Sequence, residues 1–150
     1  MKRTIKILMG LIALVLMSFA ASSCSKSAVD SKNIIGSWKL VNLFYVEYVD
    51  GEITNSVDDD CSYWYFIFEF KADGTGRRTS YNSKNGETTV YPITSWKIKG
   101  NKIEMNEVED NVPHLVKMDI DELSENTLIF SGTVEYGTKT MYVKYTYNKI

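Results

Sequence analysis

Side chains able to act as nucleophiles, bases or metal ligands are few in this 150-residue sequence. His114 is the single histidine, and a catalytic triad or a Cys–His pair would have to use it with partners in hydrogen-bond reach. Directly after Pro113, where a strand is predicted to begin, His114 is expected at the surface or rim. One histidine and one free cysteine also fall short of the about three or four protein ligands of a zinc site. The sequence therefore predicts a protein that is not an enzyme, with no catalytic residues, no metal site and no cofactor.

Two acidic runs are the other candidates for binding chemistry, the run Asp58-Asp59-Asp60 and the group Glu107, Glu109 and Asp110. Calcium takes oxygen ligands from acidic loops. The spaced alternation and the distal acidic residue of a calcium loop are missing here. We expect both runs to be solvated acidic loops.

The beginning of the chain has the order of a cleaved secretory signal. Lys2, Arg3 and Lys6 are followed by an apolar stretch at positions 7–21, and no acidic residue precedes Asp30. This stretch is shorter than the roughly 20 residues that a transmembrane helix needs. Small residues then lead into Cys24.

Ser22, Ser23 and Cys24 resemble the lipobox of bacterial lipoproteins, although Ala21 stands where that pattern usually has Leu. The resemblance implies a signal peptide at 1–23, a lipid on Cys24, and a flexible tether at 24–33. Two or more acyl chains anchor a protein stably, and the resemblance implies a location in the cell envelope, anchored in an outer membrane, with the face undecided. An ordinary secretory signal cut near Ala21 is the alternative.

The charge that remains after such a cleavage is negative. Removing residues 1–23 takes three of the 17 basic residues and none of the 19 acidic ones, so 14 face 19 and the formal charge is −5. A nucleic-acid-binding protein needs a basic footprint, so the sequence predicts no nucleic acid partner. Electrostatic docking on anionic lipid is disfavoured for the same reason.

Cys61 is the only other cysteine, so it has no partner for an internal disulfide once Cys24 is acylated. Two states are open for it: buried and inert beside Tyr63 and Trp64, or exposed and able to pair between molecules. We expect the buried state.

The rest of the chain, 34–150, reads as one all-β domain. Aromatic and β-branched residues alternate with polar ones, most clearly where Trp64, Phe66, Phe68 and Phe70 share one face. Turn signals such as Asp73-Gly74 and Asn85-Gly86 separate the segments. Eight strands are predicted, at about 38–48, 64–71, 77–81, 88–98, 103–105, 114–120, 128–136 and 140–147. Short connections favour an antiparallel up-and-down barrel, whose interior is either filled or able to hold one small ligand.

Several segments resemble the lipocalins and small lipocalin-like lipoprotein domains. They are Gly36-Ser37-Trp38 before the first strand, positions 68–76, positions 96–103 and positions 123–128. The resemblance implies a lipocalin-like barrel with Trp38 closing one end. Lipocalins usually stack an Arg of the last strand on this Trp, but no Arg follows Arg78 here; Lys144 or Lys149 is expected to supply the cation.

The aromatic side chains are the candidates for a ligand pocket, and Gly132 among larger neighbours marks a bend or a ligand approach. The first hypothesis is a lipid-anchored barrel that binds a small hydrophobic molecule or peptide. The second is a filled barrel whose loops act on another envelope protein, as an inhibitor or assembly subunit. The predicted pocket residues are Trp38, Phe66, Phe68, Phe70, Trp96, Phe130, Tyr136 and Tyr145.

Overall fold

In a computed structural model, described here for residues 29–150, the chain forms nine antiparallel β-strands after a 3₁₀ turn at Ser31–Ile34. The strands are β1 (Gly36–Val49), β2 (Glu52–Asp59), β3 (Trp64–Phe70), β4 (Gly76–Asn82), β5 (Glu87–Lys99), β6 (Lys102–Glu109), β7 (Val112–Leu123), β8 (Thr127–Tyr136) and β9 (Lys139–Lys149).

Eight of these strands close into a barrel. From β3 to β9 each strand pairs with the next, β1 pairs with β3, and β1 also pairs with β9 along almost its whole length. The predicted eight-stranded antiparallel barrel is therefore confirmed. The barrel is not closed evenly, because β7 and β8 pair only at positions 119–123 and 128–131, and their mouth halves at 112–118 and 132–136 are not paired with each other.

The ninth strand, β2, was not among the predicted strands. It forms a hairpin with the second half of β1, whereas β3 pairs with the first half at positions 36–39. Because most side chains of β2 are exposed, it lacks the apolar alternation that identifies a half-buried strand. Asp58 and Asp59 are the last two residues of β2, so the prediction that they lie in a loop is wrong.

The two ends of the barrel are built from different turns. The β3–β4, β5–β6 and β7–β8 turns lie at the end where β1 begins, which we call the closed end. The β1–β2, β4–β5, β6–β7 and β8–β9 turns lie at the other end, which we call the mouth. The predicted turns fall into both groups: Gly74 at the closed end and Gly86 at the mouth each have the positive φ that glycine allows.

Apolar side chains fill the closed end. Trp38 is completely buried, and its indole Nε1 donates a hydrogen bond to the carbonyl oxygen of Ile34 at 2.7 Å. The ammonium group of Lys149 lies 5.1 Å from the centre of the Trp38 ring, as predicted for one of the two candidate lysines. The buried residues that form one core cluster with Trp38 are Ile34, Leu40, Cys61, Phe68, Phe70, Ile93, Ile103, Met105, Ile120, Leu128, Phe130 and Tyr147.

Residues 29–35 lead into β1 through the 3₁₀ turn. Positions 31–33, which belong to the predicted tether, begin the 3₁₀ turn, and the Asp30 carboxylate caps it by accepting from the Lys32 N–H at 3.0 Å. Val29 packs against the core. The predicted signal peptide and Cys24 lie outside the described residues. Among residues 29–150, no helix is long and apolar enough to cross a membrane.

Candidate functional site

The half of the barrel nearer the mouth contains two adjacent cavities. One cavity has a volume of about 280 Å³, and we call it the deeper cavity because it touches the buried Phe68 and Tyr147. The other, the outer cavity, has a volume of about 320 Å³. Both are bounded by Val116, Met118 and Tyr145. The deeper cavity is also lined by Phe66, Phe68, Arg78, Glu107 and Tyr147. The outer cavity also touches Lys117, Gly132, Thr133, Val134, Tyr136, Met141 and Val143. Tyr136 is the last residue of β8, next to a mouth turn, and is 61% exposed. Because Tyr136 lines the outer cavity, this cavity reaches the mouth.

An ion pair between β4 and β6 forms one wall of the deeper cavity. Arg78 and Glu107 point into the barrel, where their side chains are 17% and 8% exposed. The Arg78 Nε donates to Glu107 Oε2 at 2.8 Å, and Nη2 donates to Oε1 at 2.5 Å. This is the paired geometry in which two guanidinium N–H groups meet both carboxylate oxygens. Glu107 was predicted to be solvated in an acidic loop, and that prediction is wrong because Arg78 compensates its burial.

Aromatic rings hold the Arg78 guanidinium in place. Its central carbon lies 4.0 Å from the centre of the Tyr91 ring and 4.8 Å from that of Phe66. Burial acts to lower the pKa of Arg78, but the hydrogen bond and charge of Glu107 outweigh it, and the net pKa is raised. Arg78 therefore stays charged inside the barrel, with its position fixed by three neighbours.

Two tyrosines of β9 present polar groups to the same cavity. Tyr147 is only 1% exposed and lines the deeper cavity together with Tyr145. Burial raises the pKa of both hydroxyls, that of Tyr147 well above its ordinary value. Within residues 29–150 neither hydroxyl has a hydrogen-bond partner, and no side-chain oxygen or nitrogen there is both buried and unpaired. Both hydroxyl oxygens therefore contact the space of the cavity.

The predicted pocket residues divide between the two halves of the barrel. Phe66, Phe68 and Tyr145 line the deeper cavity, and Tyr136 and Tyr145 line the outer one. The other predicted residues, which line neither cavity, are Trp38, Phe70, Trp96 and Phe130. Three of these four are fully buried in the closed end, and Trp96 packs edge-on against Phe70.

Gly132 lies on the wall of the outer cavity. A Cβ atom added there would meet nothing within 4 Å, and the residue has no unusual φ. The space beside the backbone there is therefore larger than a methyl group. The expectation that Gly132 marks a ligand approach stays a prediction.

The remaining chemical candidates are not among the residues that line the two cavities. His114 is exposed near the start of β7, as predicted, and lies opposite Glu107 in the β6–β7 pairing. Cys61 is 3% exposed, and its burial, together with the charges of Asp59 and Asp60, raises the pKa of the thiol to about 11. The buried state expected for Cys61 is thus confirmed. In the described part of the chain no three His, Cys, Asp or Glu side chains are arranged to hold a metal ion.

The comparison with known families agrees with this geometry. A family model described as a lipocalin-like domain matches residues 34–130. The chain belongs to the lipocalin-like domain family. Lipocalin-like proteins are in general non-enzymatic binding proteins, and the barrel with its cavity fits such a role. A search of curated proteins found no match.

The residues of the deeper cavity in this lipocalin-like site that sequence reasoning missed are Arg78, Glu107, Val116 and Met118. One signal was present: Ile103, Met105 and Glu107 alternate along β6, so Glu107 occupies an inward position. This alternation was overlooked because Glu107, Glu109 and Asp110 together have the composition of a solvated turn.

Proposed function

We propose that this protein is a lipid-anchored lipoprotein of the cell envelope whose lipocalin-like barrel binds a small hydrophobic molecule in the two cavities, without catalysing a reaction. The observation that carries the binding role is the cavity pair itself, apolar on most of its wall and reaching the mouth. A concave, mostly apolar site with a few polar groups is what small-molecule binding needs.

Photolabelling of the full-length protein in lipid nanodiscs tests the binding role. The probe is undecane carrying a diazirine, and labelled peptides are mapped by mass spectrometry. We expect labels on β7 and β9, which supply Val116, Met118 and Tyr145. Gly132→Phe should fill the outer cavity and reduce this labelling about tenfold, because it removes apolar surface from the ligand's reach.

The matched control is Thr88→Phe, which adds the same ring at an exposed position of β5 that lines neither cavity. The probe partitions equally into nanodiscs that carry either variant. The ratio of labelling between the two variants therefore reports on access to the barrel interior. Equal labelling of the two variants, or labels confined to the outer surface, would refute the binding role.

The proposed anchor rests on the sequence around Cys24. It predicts that the mature protein begins at Cys24 and carries acyl chains in its intact mass. Cys24→Ala should abolish the added mass and release the protein from the membrane fraction. Separation of inner from outer membranes by density tests the proposed outer-membrane location.

A second candidate function is contact with another envelope protein through the mouth. The observation that favours it is a group of exposed apolar side chains on strands near the mouth and in its loops, namely Ile53, Tyr63, Val90, Val112, Val134 and Tyr136. Exposed apolar patches are typical of interaction surfaces. Photo-crosslinking residues placed at Val112 and Tyr136 should then capture one defined protein in whole cells, whereas one placed at Lys97 should not.

A further inference from the structure

The ion pair inside the barrel leaves some N–H donors of Arg78 without a hydrogen-bond partner in residues 29–150. A guanidinium has five N–H donors in a rigid fork, and Glu107 accepts from only Nε and Nη2. Nη1 has no partner in residues 29–150, and no buried polar side-chain atom there lacks one, so Nη1 has accessible surface. Arg78 lines the deeper cavity. The edge formed by Nη1 and the remaining Nη2 proton is therefore available to a molecule in that cavity.

The tyrosine hydroxyls add to this edge. Tyr147 is 1% exposed and Tyr145 is half-buried, and neither hydroxyl has a hydrogen-bond partner in residues 29–150, although neither oxygen is sealed off from the cavity. Both hydroxyls are therefore open to a molecule in the cavity. A plain hydrocarbon that filled the cavity would leave them unpaired, which costs free energy, whereas a ligand that supplies a hydrogen-bond acceptor would pair with them.

The charge balance limits what this acceptor can be. Glu107 already neutralises Arg78, so the cavity wall offers donors without net positive charge. The mouth is negative, since its turns and their flanks carry exposed Asp50, Glu52, Glu87, Glu109, Asp110 and Glu135. The lysines nearby already have partners: Lys139 pairs with Glu47 at 3.1 Å, Lys117 of the outer cavity pairs with Glu104 at 3.6 Å, and Lys84 lies over Tyr63. An anion would approach against this field and then meet Glu107 inside.

A cation is attracted by the acidic mouth, but the deeper cavity presents hydrogen-bond donors instead of a free negative partner. The polar groups that face the deeper cavity are the Arg78 edge, the two hydroxyls, and a Glu107 carboxylate whose two oxygens already accept from Arg78. Burying a positive charge beside a guanidinium is unfavourable unless a negative partner is free. The wall therefore excludes both signs of charge for different reasons.

We propose that the cavity selects an uncharged, lipid-like molecule with a carbonyl or similar acceptor oxygen, which binds at the free edge of Arg78 and the hydroxyls of Tyr145 and Tyr147. This rests on the proposed binding function and specifies the class of its ligand. The apolar part of the molecule lies against Val116 and Met118, which line both cavities, and its oxygen lies at Arg78 and the two hydroxyls.

Competition against the undecane photoprobe on full-length protein in nanodiscs tests this selectivity. The competitors share one alkyl chain and end in a methyl ketone, a carboxylate or an amine, and unsubstituted undecane is the reference. After correction for partition into empty nanodiscs, we expect the ketone to compete about tenfold better than undecane, the difference that one satisfied hydrogen bond makes. The carboxylate and the amine should compete less well than the ketone.

Two variants show whether the ion pair is responsible. Glu107→Gln leaves Arg78 without its counter-charge, so the ranking should reverse and the carboxylate should gain about tenfold over the ketone, as an opposite charge adds to a hydrogen bond. The double variant Arg78→Met with Glu107→Met replaces the pair by apolar side chains, a change that buried ion pairs often tolerate without loss of stability. In this variant the ketone should lose most of its advantage over undecane, measured as the ratio of the two competitors on the same protein.

The outcomes separate this inference from the function on which it rests. If the photoprobe labels the cavity but the carboxylate competes as well as the ketone in the natural protein, the inference is overturned and the binding role stands. The same holds if Glu107→Gln leaves the ranking unchanged although the variant retains its barrel by circular dichroism. If the photoprobe does not label the cavity at all, both proposals fail.

Discussion

The closed end and the mouth half of this barrel are built from the same strands but differ in what fills them. At the closed end, Trp38 and Phe130 are completely buried among other apolar side chains. Toward the mouth, the same strands enclose two cavities and a charged pair. A barrel of eight strands is just wide enough for side chains to fill, so the side chains chosen at inward positions decide where space remains.

This division separates stability from recognition. Close packing at one end supplies the buried apolar area that stabilises a small domain. The other end can then leave polar groups at a cavity wall, which costs free energy that the packed end offsets. Changes at matched positions in the two halves should therefore have very different effects.

The largest difference should come from truncating one aromatic side chain in each half. Phe130→Ala, in the closed end, should lower the free energy of unfolding by about 3–5 kcal/mol, since it leaves a cavity among fixed neighbours. Tyr136→Ala, on the same strand at the mouth, should change it by less than about 0.5 kcal/mol because the ring is mostly exposed. Urea unfolding of the full-length protein, followed by tryptophan fluorescence, measures both. Similar losses would contradict the division.

Two glycines offer a second matched pair with a smaller effect. At Gly76, near the closed end, an added Cβ would lie 2.2 Å from the backbone oxygen of Glu69, so Gly76→Ala should cost about 3 kcal/mol. At Gly132 the added methyl group meets nothing within 4 Å. Gly132→Ala should be neutral or stabilise by up to about 1 kcal/mol, because alanine restricts the unfolded chain. The same unfolding experiment tests both, and a severe loss for Gly132→Ala would mean that the cavity wall does not tolerate a side chain.

Much of this arrangement follows from local sequence. Period-two aromatic runs identify β3, Gly and Asn mark the hairpins, and Gly36-Ser37-Trp38 indicates the entry into β1. The missed features depend on distant partners. β2 is held only by its pairing with β1, and Glu107 is buried only because Arg78, 29 positions earlier in the chain, lies opposite it. Local alternation also does not distinguish Phe130, which is completely buried in the core, from Tyr145, which lines both cavities. Whether an inward side chain borders a cavity depends on the volumes of side chains from several strands.

Cys61 lies in the connection between β2 and β3 and packs against the core. Its thiol has a pKa of about 11 instead of 9.0, so the thiolate fraction near pH 8 is about a hundredfold smaller than for an ordinary cysteine. Alkylation by iodoacetamide should be at least that much slower in the native protein than in urea. Its rate should rise with pH until about pH 11. Reaction at the rate of the unfolded chain would mean that the structure around Cys61 opens readily.

The raised pKa of the Cys61 thiol also makes stability depend on pH. The contribution of Cys61 to stability is complete below pH 9 and declines as the pH rises toward 11.

The smallest expected effect concerns the cation that covers Trp38 at the closed end. Lys149 is exposed, and its ammonium group lies over the indole ring. Lys149→Met should therefore lower the free energy of unfolding by about 0.5–1 kcal/mol, the range of exposed cation–π contacts. Lys144→Met is the control, because Lys144 lies on the other face of β9 and has no ring contact in the described residues. Lys149→Arg should retain or increase stability, since a planar guanidinium stacks better on an aromatic ring than an ammonium group does. If Lys149→Met and Lys144→Met prove equally harmless, Trp38 closes the barrel by burial alone, and the cation only covers a ring that is already held by its neighbours and by the hydrogen bond to Ile34.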